Sequence, residues 1–261
     1  MTSPARITDR SCGPSDCEVD WLTSERHQAD DEVVRFTRWA TERGWGDGLP
    51  LVPPTEARVR AFLARSGRFP DEVVAELPPL RGECTAEKIA INAVMAGAEP
   101  AAMPLIIAAV EAMARPEFNL AALNATTGSV VPAVIVNGPV RDELGIPYEV
   151  SCAGGAGGGA PSVGRAIRLV MRNLAGQEAG VTSQSVFGTP GRVAGIVFGE
   201  WEEVSPGYDA GLVLTRRHGD RVHIAQSPQD VIVTVCGGMG NLHALSMPSW
   251  GDTKSVTAGI R

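Results

Sequence analysis

Apolar residues recur near helical spacing over 30–43, where Val33, Val34, Trp39 and Ala40, with Phe36 less cleanly, predict an amphipathic helix. The next run, Gly44-Trp45-Gly46-Asp47-Gly48-Leu49-Pro50-Leu51-Val52-Pro53-Pro54, holds three glycines and three prolines and admits only turns and extended chain. Thr55 is placed to cap a second helix through Arg65, with Val59, Phe62 and Leu63 inward. A short helix is expected over 71–77, stopped by Pro78-Pro79. Thr85 reads as the cap of a helix over 86–96 with Glu87 favourably placed in its first turn. Gly97 ends it, and Pro100 starts another helix to about residue 114. The β-branched run 130–136 before Asn137-Gly138-Pro139 predicts a buried strand leaving into a turn. Ser162 is expected to start a helix whose apolar set is Val163, Ile167, Leu169, Val170 and Leu174. Residues 193–198, 212–215, 221–225 and 231–236 read as strands.

This order predicts an α/β (or α+β) fold: a helix-rich N-terminal half and a strand-rich C-terminal half around one mixed sheet. Residues 1–28 are polar and without periodicity, which predicts an N-terminal arm, with 29–261 as a single α/β domain. A chain of 261 residues is long enough to bury a core without staples. Against 23 Lys and Arg stand 30 Asp and Glu, a formal charge of −7 that argues against nucleic acid or an anionic membrane as partner. The first thirty residues contain no apolar signal core, and the most apolar stretch, 89–110, is broken by Asn92, Glu99, Pro100 and Pro104. The expectation is a cytoplasmic protein with two buried helices there. Five scattered cysteines (Cys12, Cys17, Cys84, Cys152, Cys236) form no disulfide framework.

Four places can carry chemistry. The loop Cys152-Ala153-Gly154-Gly155-Ala156-Gly157-Gly158-Gly159-Ala160-Pro161-Ser162 has bare backbone amides and runs into a helix N-terminus, where orphan N–H groups favour an anion. Gly155, Gly157, Gly158 and Ser162 are its candidate binding residues, with Arg165 and Arg168 as a further grip. A flexible surface loop is the alternative. The helix over 86–96 is apolar on nearly every side yet carries Lys88 and Asn92 one turn apart, suited to holding an anion or to acid–base work. A structural pair of Lys88 with a carboxylate is the competing reading. Asp47, beside Trp45, is displayed by an Asp-Gly turn or is simply turn chemistry. Cys236 follows a strand into a glycine-rich stretch, with His243 as its base or an independent proton shuttle, or as an ordinary core thiol and surface imidazole.

The blocks Trp45–Thr55, Glu87-Lys88-Ile89-Ala90-Ile91-Asn92-Ala93-Val94-Met95-Ala96-Gly97, Val136-Asn137-Gly138-Pro139 and Gly164-Arg165-Ala166-Ile167-Arg168-Leu169 resemble a largely uncharacterised bacterial family. Members of that family are associated with a small domain bearing a selenocysteine- or cysteine-containing UGSC/CGSC motif. The chain has no CGSC sequence itself, so the resemblance implies a separate thiol-bearing partner chain.

Together these readings predict an enzyme, or a substrate-binding enzyme subunit, acting on a small anionic, carboxylate-bearing metabolite by lyase-type acid–base chemistry. Lys88, Asp47, His243 and Cys236 are the expected catalytic residues, and Asn92, Asn137, Gly155, Gly157, Gly158, Ser162 and Arg165 the binding residues. No cofactor or metal is predicted; an iron–sulfur cluster on Cys84, Cys152 and Cys236 is the alternative to that. A thiol-dependent redox enzyme and a non-catalytic scaffold for a thiol-bearing chain are the competing functions. A homo- or hetero-oligomer is expected from the apolar residues of the C-terminal tail, Trp250, Val256 and Ile260.

Overall fold

A computed structural model of the chain describes residues 22–154, 157–186 and 188–201 and the strand 232–240. The expected strands at 212–215 and 221–225, Gly155, His243 and the C-terminal tail lie outside the described residues. Within them the fold mixes helices and strands, as the alternation of patterns predicts, but the strands form two small sheets where one mixed sheet is expected, because β1 and β2 pair only with each other.

The first helix, α1 (Val33–Thr41), begins where the Glu32 carboxylate accepts the Val34 and Arg35 N–H groups, and it buries Phe36 and Ala40. Helix α2 (Glu56–Ser66) follows Thr55 and ends at Gly67, whose left-handed φ of 64° suits glycine. Its buried residues are Val59, Phe62 and Leu63, the set its spacing predicts.

The expected helix over 71–77 is instead a strand, β1 (Val73–Leu77), paired antiparallel with β2 (Gly82–Thr85). From Ala75 the burial alternates, with Ala75 and Leu77 in the core and Glu76 exposed, a period of two that wins once β2 supplies a partner; the register shifts between Val73 and Ala75, and Val73 is exposed. Thr85 then caps α3 (Ala86–Met95), its hydroxyl accepting the Lys88 N–H at 3.3 Å. The segment from Pro100 opens with one 3₁₀ turn, Pro100–Ala102, before α4 (Met103–Met113). Both α3 and α4 are buried on most sides, so the apolar stretch 89–110 is two core helices. No helix among the described residues is long and apolar enough to cross a membrane.

After α5 (Leu120–Ala125), strand β3 (Ser129–Asn137) is central to the second sheet. It runs parallel to β4 (Ile196–Gly199) and antiparallel to β5 (Ile232–Gly240), so this sheet is mixed. Eight of its nine positions are buried, as a strand paired on both edges and covered on its faces requires. Two short helices, α6 (Pro139–Glu143) and α8 (Gly191–Ala194), flank the sheet, and α7 (Ala160–Asn173) packs across α3. The strand expected from residue 193 starts three residues later, because 191–194 coil into α8 and Gly195 takes φ +67°. There α7 and the α8–β4 turn meet backbone to backbone: a Cβ on Gly164 would lie 2.2 Å from the Ala194 carbonyl oxygen.

Candidate active site

A cavity of about 540 Å³ lies between residues 22–31, α1, the start of α2, α3 and the C-terminal end of α7. Helix α3 supplies Glu87, Lys88, Ile91, Asn92 and Met95 to its wall, and α7 supplies Asn173 and, just beyond its end, Leu174. Lys88 and Asn92 are thus brought together on one face, as their spacing predicts. Lys88 is half-buried, not sealed in the core, and its Nζ donates to the Glu83 carbonyl at 3.3 Å. Among the described residues no carboxylate lies within ion-pair distance of it.

Asn92 is buried and fully engaged. Its Nδ2 donates to the Lys88 carbonyl at 2.8 Å, and its Oδ1 accepts from Asn173 Nδ2 at 2.7 Å. The same Asn173 amide donates to the Trp45 carbonyl at 3.3 Å, so one side chain ties α3, α7 and the Trp45 turn together. Asn173 Oδ1 is buried with no hydrogen-bond partner.

The outer wall is residues 22–31, which have no regular secondary structure. Their anchor is Glu87, itself buried in the first turn of α3. Its carboxylate accepts the Thr23 N–H at 2.8 Å, the Thr23 hydroxyl at 3.1 Å and the Ser24 N–H at 3.2 Å. Four residues on, the His27 ring lies 5.6 Å from Trp39 and 5.5 Å from Trp45, and the two indoles are 5.3 Å apart. Phe36 stacks behind Trp39 at 5.8 Å. All four rings line the cavity.

Asp47 and Arg165 meet, as each other's partners. Arg165 Nε donates to Asp47 Oδ2 at 2.7 Å and an Arg165 terminal nitrogen to Oδ1 at 2.8 Å, a bidentate pair with side chains 11% and 9% exposed. Burial pushes the Asp47 carboxyl up, but the Arg165 hydrogen bond, the Leu49 N–H and the Arg165 charge hold it below the usual carboxylate range. Arg165 also reaches the Leu49 carbonyl at 3.2 Å. The pair clamps the Trp45–Leu49 turn onto α7; it does not line the cavity.

The glycine-rich loop sits at the other end of α7. The Gly159 N–H donates to the Leu144 carbonyl at 2.7 Å, and Pro161, in the first turn of α7, has no N–H to offer. Gly158 has φ +52°, and a Cβ there would lie 1.9 Å from the Gly145 carbonyl oxygen, so this glycine lets two backbones touch. Gly157 is exposed, and Ser162, two residues inside a helix that begins at Ala160, donates its hydroxyl to the Gly159 carbonyl at 3.0 Å. Arg168 is turned inward: it donates to the Arg192 carbonyl at 2.9 Å and to Gln177 Oε1 at 2.5 Å. Burial, with the charges of Arg192 and Arg172, pulls its pKa down to about 9. Asn137 ends β3 away from the cavity, buried, its Nδ2 donating to Glu200 Oε2 at 2.6 Å and its Oδ1 buried without a partner.

Of the described thiols, neither Cys84 nor Cys152 lines the cavity. Cys84 is a core residue of β2 whose thiol burial pushes up to about 12, against a weaker pull from Lys88. Cys152 is partly exposed beside the glycine loop, and Cys236 stands in β5 opposite Ala133. Among the described residues no group of three His, Cys, Asp or Glu side chains is placed to hold a metal ion.

His27, Glu87 as an anchor, and Asn173 are site residues that the sequence reading does not find. Only the paired tryptophans at 39 and 45, flanking the end of one helix, signal an aromatic wall. Compared with family models, with curated proteins and with solved structures, the chain finds no match.

Proposed function

We propose that this chain is an enzyme, or the substrate-binding subunit of one, acting on a small carboxylate-bearing metabolite held in the cavity behind residues 22–31. The observation that carries this reading is the Lys88 ammonium, which has no carboxylate partner among the described residues, on the wall of a largely apolar cavity. Of the five carboxylates that line the cavity, Glu87 is held by Thr23 and Ser24, Asp30 by Arg35 at 2.7 Å and Glu56 by Arg60 at 2.8 Å, while Glu25 and Asp31 are exposed residues of the outer wall. A ligand carboxylate is the group that completes Lys88.

The reaction class that suits these groups is elimination or addition next to the carboxylate. A base takes the proton from the carbon beside the carboxylate, and the leaving group departs from the next carbon with its electron pair. Lys88 neutralises the charge that builds on the carboxylate in between. His27, whose imidazole lines the cavity, is the proton carrier in this reading. The glycine loop, Ser162 and Arg165 have no part in it.

The test is calorimetric titration of the protein with carboxylic acids and their primary amides as matched pairs. The acid of a pair should bind about tenfold more tightly than its amide, and Lys88→Met should erase the difference. Equal binding of acid and amide to the unaltered protein would overturn the reading.

A further inference from the structure

We infer that the ligand of this cavity is an aryl carboxylic acid, a planar aromatic ring carrying a short carboxylate arm, and that Trp39 and Trp45 determine specificity for the ring. The inference rests on the reading of the cavity as a carboxylate site and adds what the rest of the ligand must be.

Volume is the first argument. A cavity of about 540 Å³ falls in the range that encloses ligands of drug size, and an acid of three or four carbons would leave most of it to water. The second argument is the chemistry of the wall. Around Lys88 the inner wall, from α1, the Trp45 turn and α3, includes Trp39, Trp45, Ile91 and Met95, an aromatic and aliphatic surface that offers a hydroxyl-rich body only its indole N–H groups, while charged lining residues such as Glu25, Arg26, Asp30, Asp31 and Glu56 come from residues 22–31 and the start of α2. The third is a ring already in place. His27, a planar ring with a polar edge, packs against both indoles at 5.5–5.6 Å with interplanar angles of 55° and 60°. Edge-to-face and tilted contacts of this kind follow from the ring quadrupole, and an aliphatic ring of equal volume does not make them. The indoles therefore form a surface that accepts a flat ring, and Lys88 lies on the same cavity wall to take the acid.

The experiment titrates the full chain with acetate, cyclohexylacetate, phenylacetate and indole-3-acetate, together with the primary amide of each, indole-3-acetamide among them. Calorimetry gives the affinities, and tryptophan fluorescence gives an independent readout because Trp39 and Trp45 line the cavity. Affinity should rise in that order of acids, with phenylacetate about threefold or more tighter than cyclohexylacetate and indole-3-acetate about a hundredfold tighter than acetate. Trp45→Leu should cost indole-3-acetate about tenfold and bring phenylacetate and cyclohexylacetate level. Lys88→Met should weaken every acid by one common factor and leave the ring order intact. If Trp45→Leu does not fold, Trp39→Leu takes its place, and the acid series on the unaltered protein decides alone. Cyclohexylacetate binding as tightly as phenylacetate, while both acids beat their amides, would overturn this inference and leave the carboxylate reading standing. Indole-3-acetate binding no better than indole-3-acetamide would overturn both.

Discussion

The two ends of α7 differ in what they are for. Its N-terminal end carries the features that look like ligand chemistry: a glycine cluster, Ser162, and Arg165 one turn in. Every one of those groups that the structure describes, except exposed Gly157, is engaged by the protein itself, in the Gly159–Leu144 hydrogen bond, the Gly158–Gly145 backbone contact and the Asp47–Arg165 pair. Fourteen residues and about 21 Å away, the other end carries a single asparagine, and there the cavity opens against Lys88, Asn92 and the indoles. Glycine marks the places where backbones must touch, and touching another part of the same chain is as good a reason as touching a ligand. A cavity arises where several elements stop short of one another, and no local motif records that.

The comparison breaks most sharply at the Asp47–Arg165 pair. Removing either partner alone strands a nearly buried charge, so Arg165→Ala or Asp47→Asn should lower stability in urea denaturation by about 3 kcal/mol. Changing both together to apolar residues should restore more than half of that loss. Because the Asp47 carboxyl is held below its ordinary value when folded, its contribution is complete above pH ~4 and is lost as the pH falls through the folded value. The stability gap between the native chain and Asp47→Asn should therefore close as the pH is lowered below about 4.

A smaller effect sharpens the role of the loop. Gly158→Ala places a methyl group against the Gly145 carbonyl at a left-handed φ and should cost about 2 kcal/mol. Where the variant stays folded, its affinity for a carboxylate ligand should be unchanged. A loss of affinity with stability intact would return the binding role to the loop. At the cavity end the balance reverses: Lys88→Met should leave stability within about 0.5 kcal/mol while affinity for acids drops about tenfold.

The mildest contrast is between two thiols. Cys84, buried and with its thiol held near 12, should resist alkylation in the native protein, whereas partly exposed Cys152 should react. Peptide mapping after brief labelling at pH 8 reads this directly. Rapid native labelling of Cys84 would contradict its place in the core.

What was legible in the sequence follows the range of the interactions involved. Helix α3 is visible because its cap, its apolar run and its one polar stripe are neighbours in sequence, and Lys88 and Asn92 do share a face. The strand β1 is not, since its partner β2 is four residues long and its two valines fit a short helix equally well until they are paired. The outer wall of the cavity is less visible still. Residues 22–31 have no periodicity, and they are fixed by Thr23 and Ser24 bonding to a carboxylate more than sixty positions away. Asn173 looks like the polar end of an amphipathic helix, and only its bond to Asn92, 81 residues distant, makes it part of the site. The glycine cluster was conspicuous for the converse reason, because a close backbone contact and a ligand cradle call for the same residue.

The most direct test of the central claim, that the cavity and not the glycine loop is the binding site, is a crystal structure of the protein grown with indole-3-acetate. The account predicts the ring against Trp39 and Trp45 with the carboxylate within hydrogen-bond distance of Lys88 Nζ. The acid bound at residues 157–162, with the cavity beside Lys88 holding only water, would contradict it.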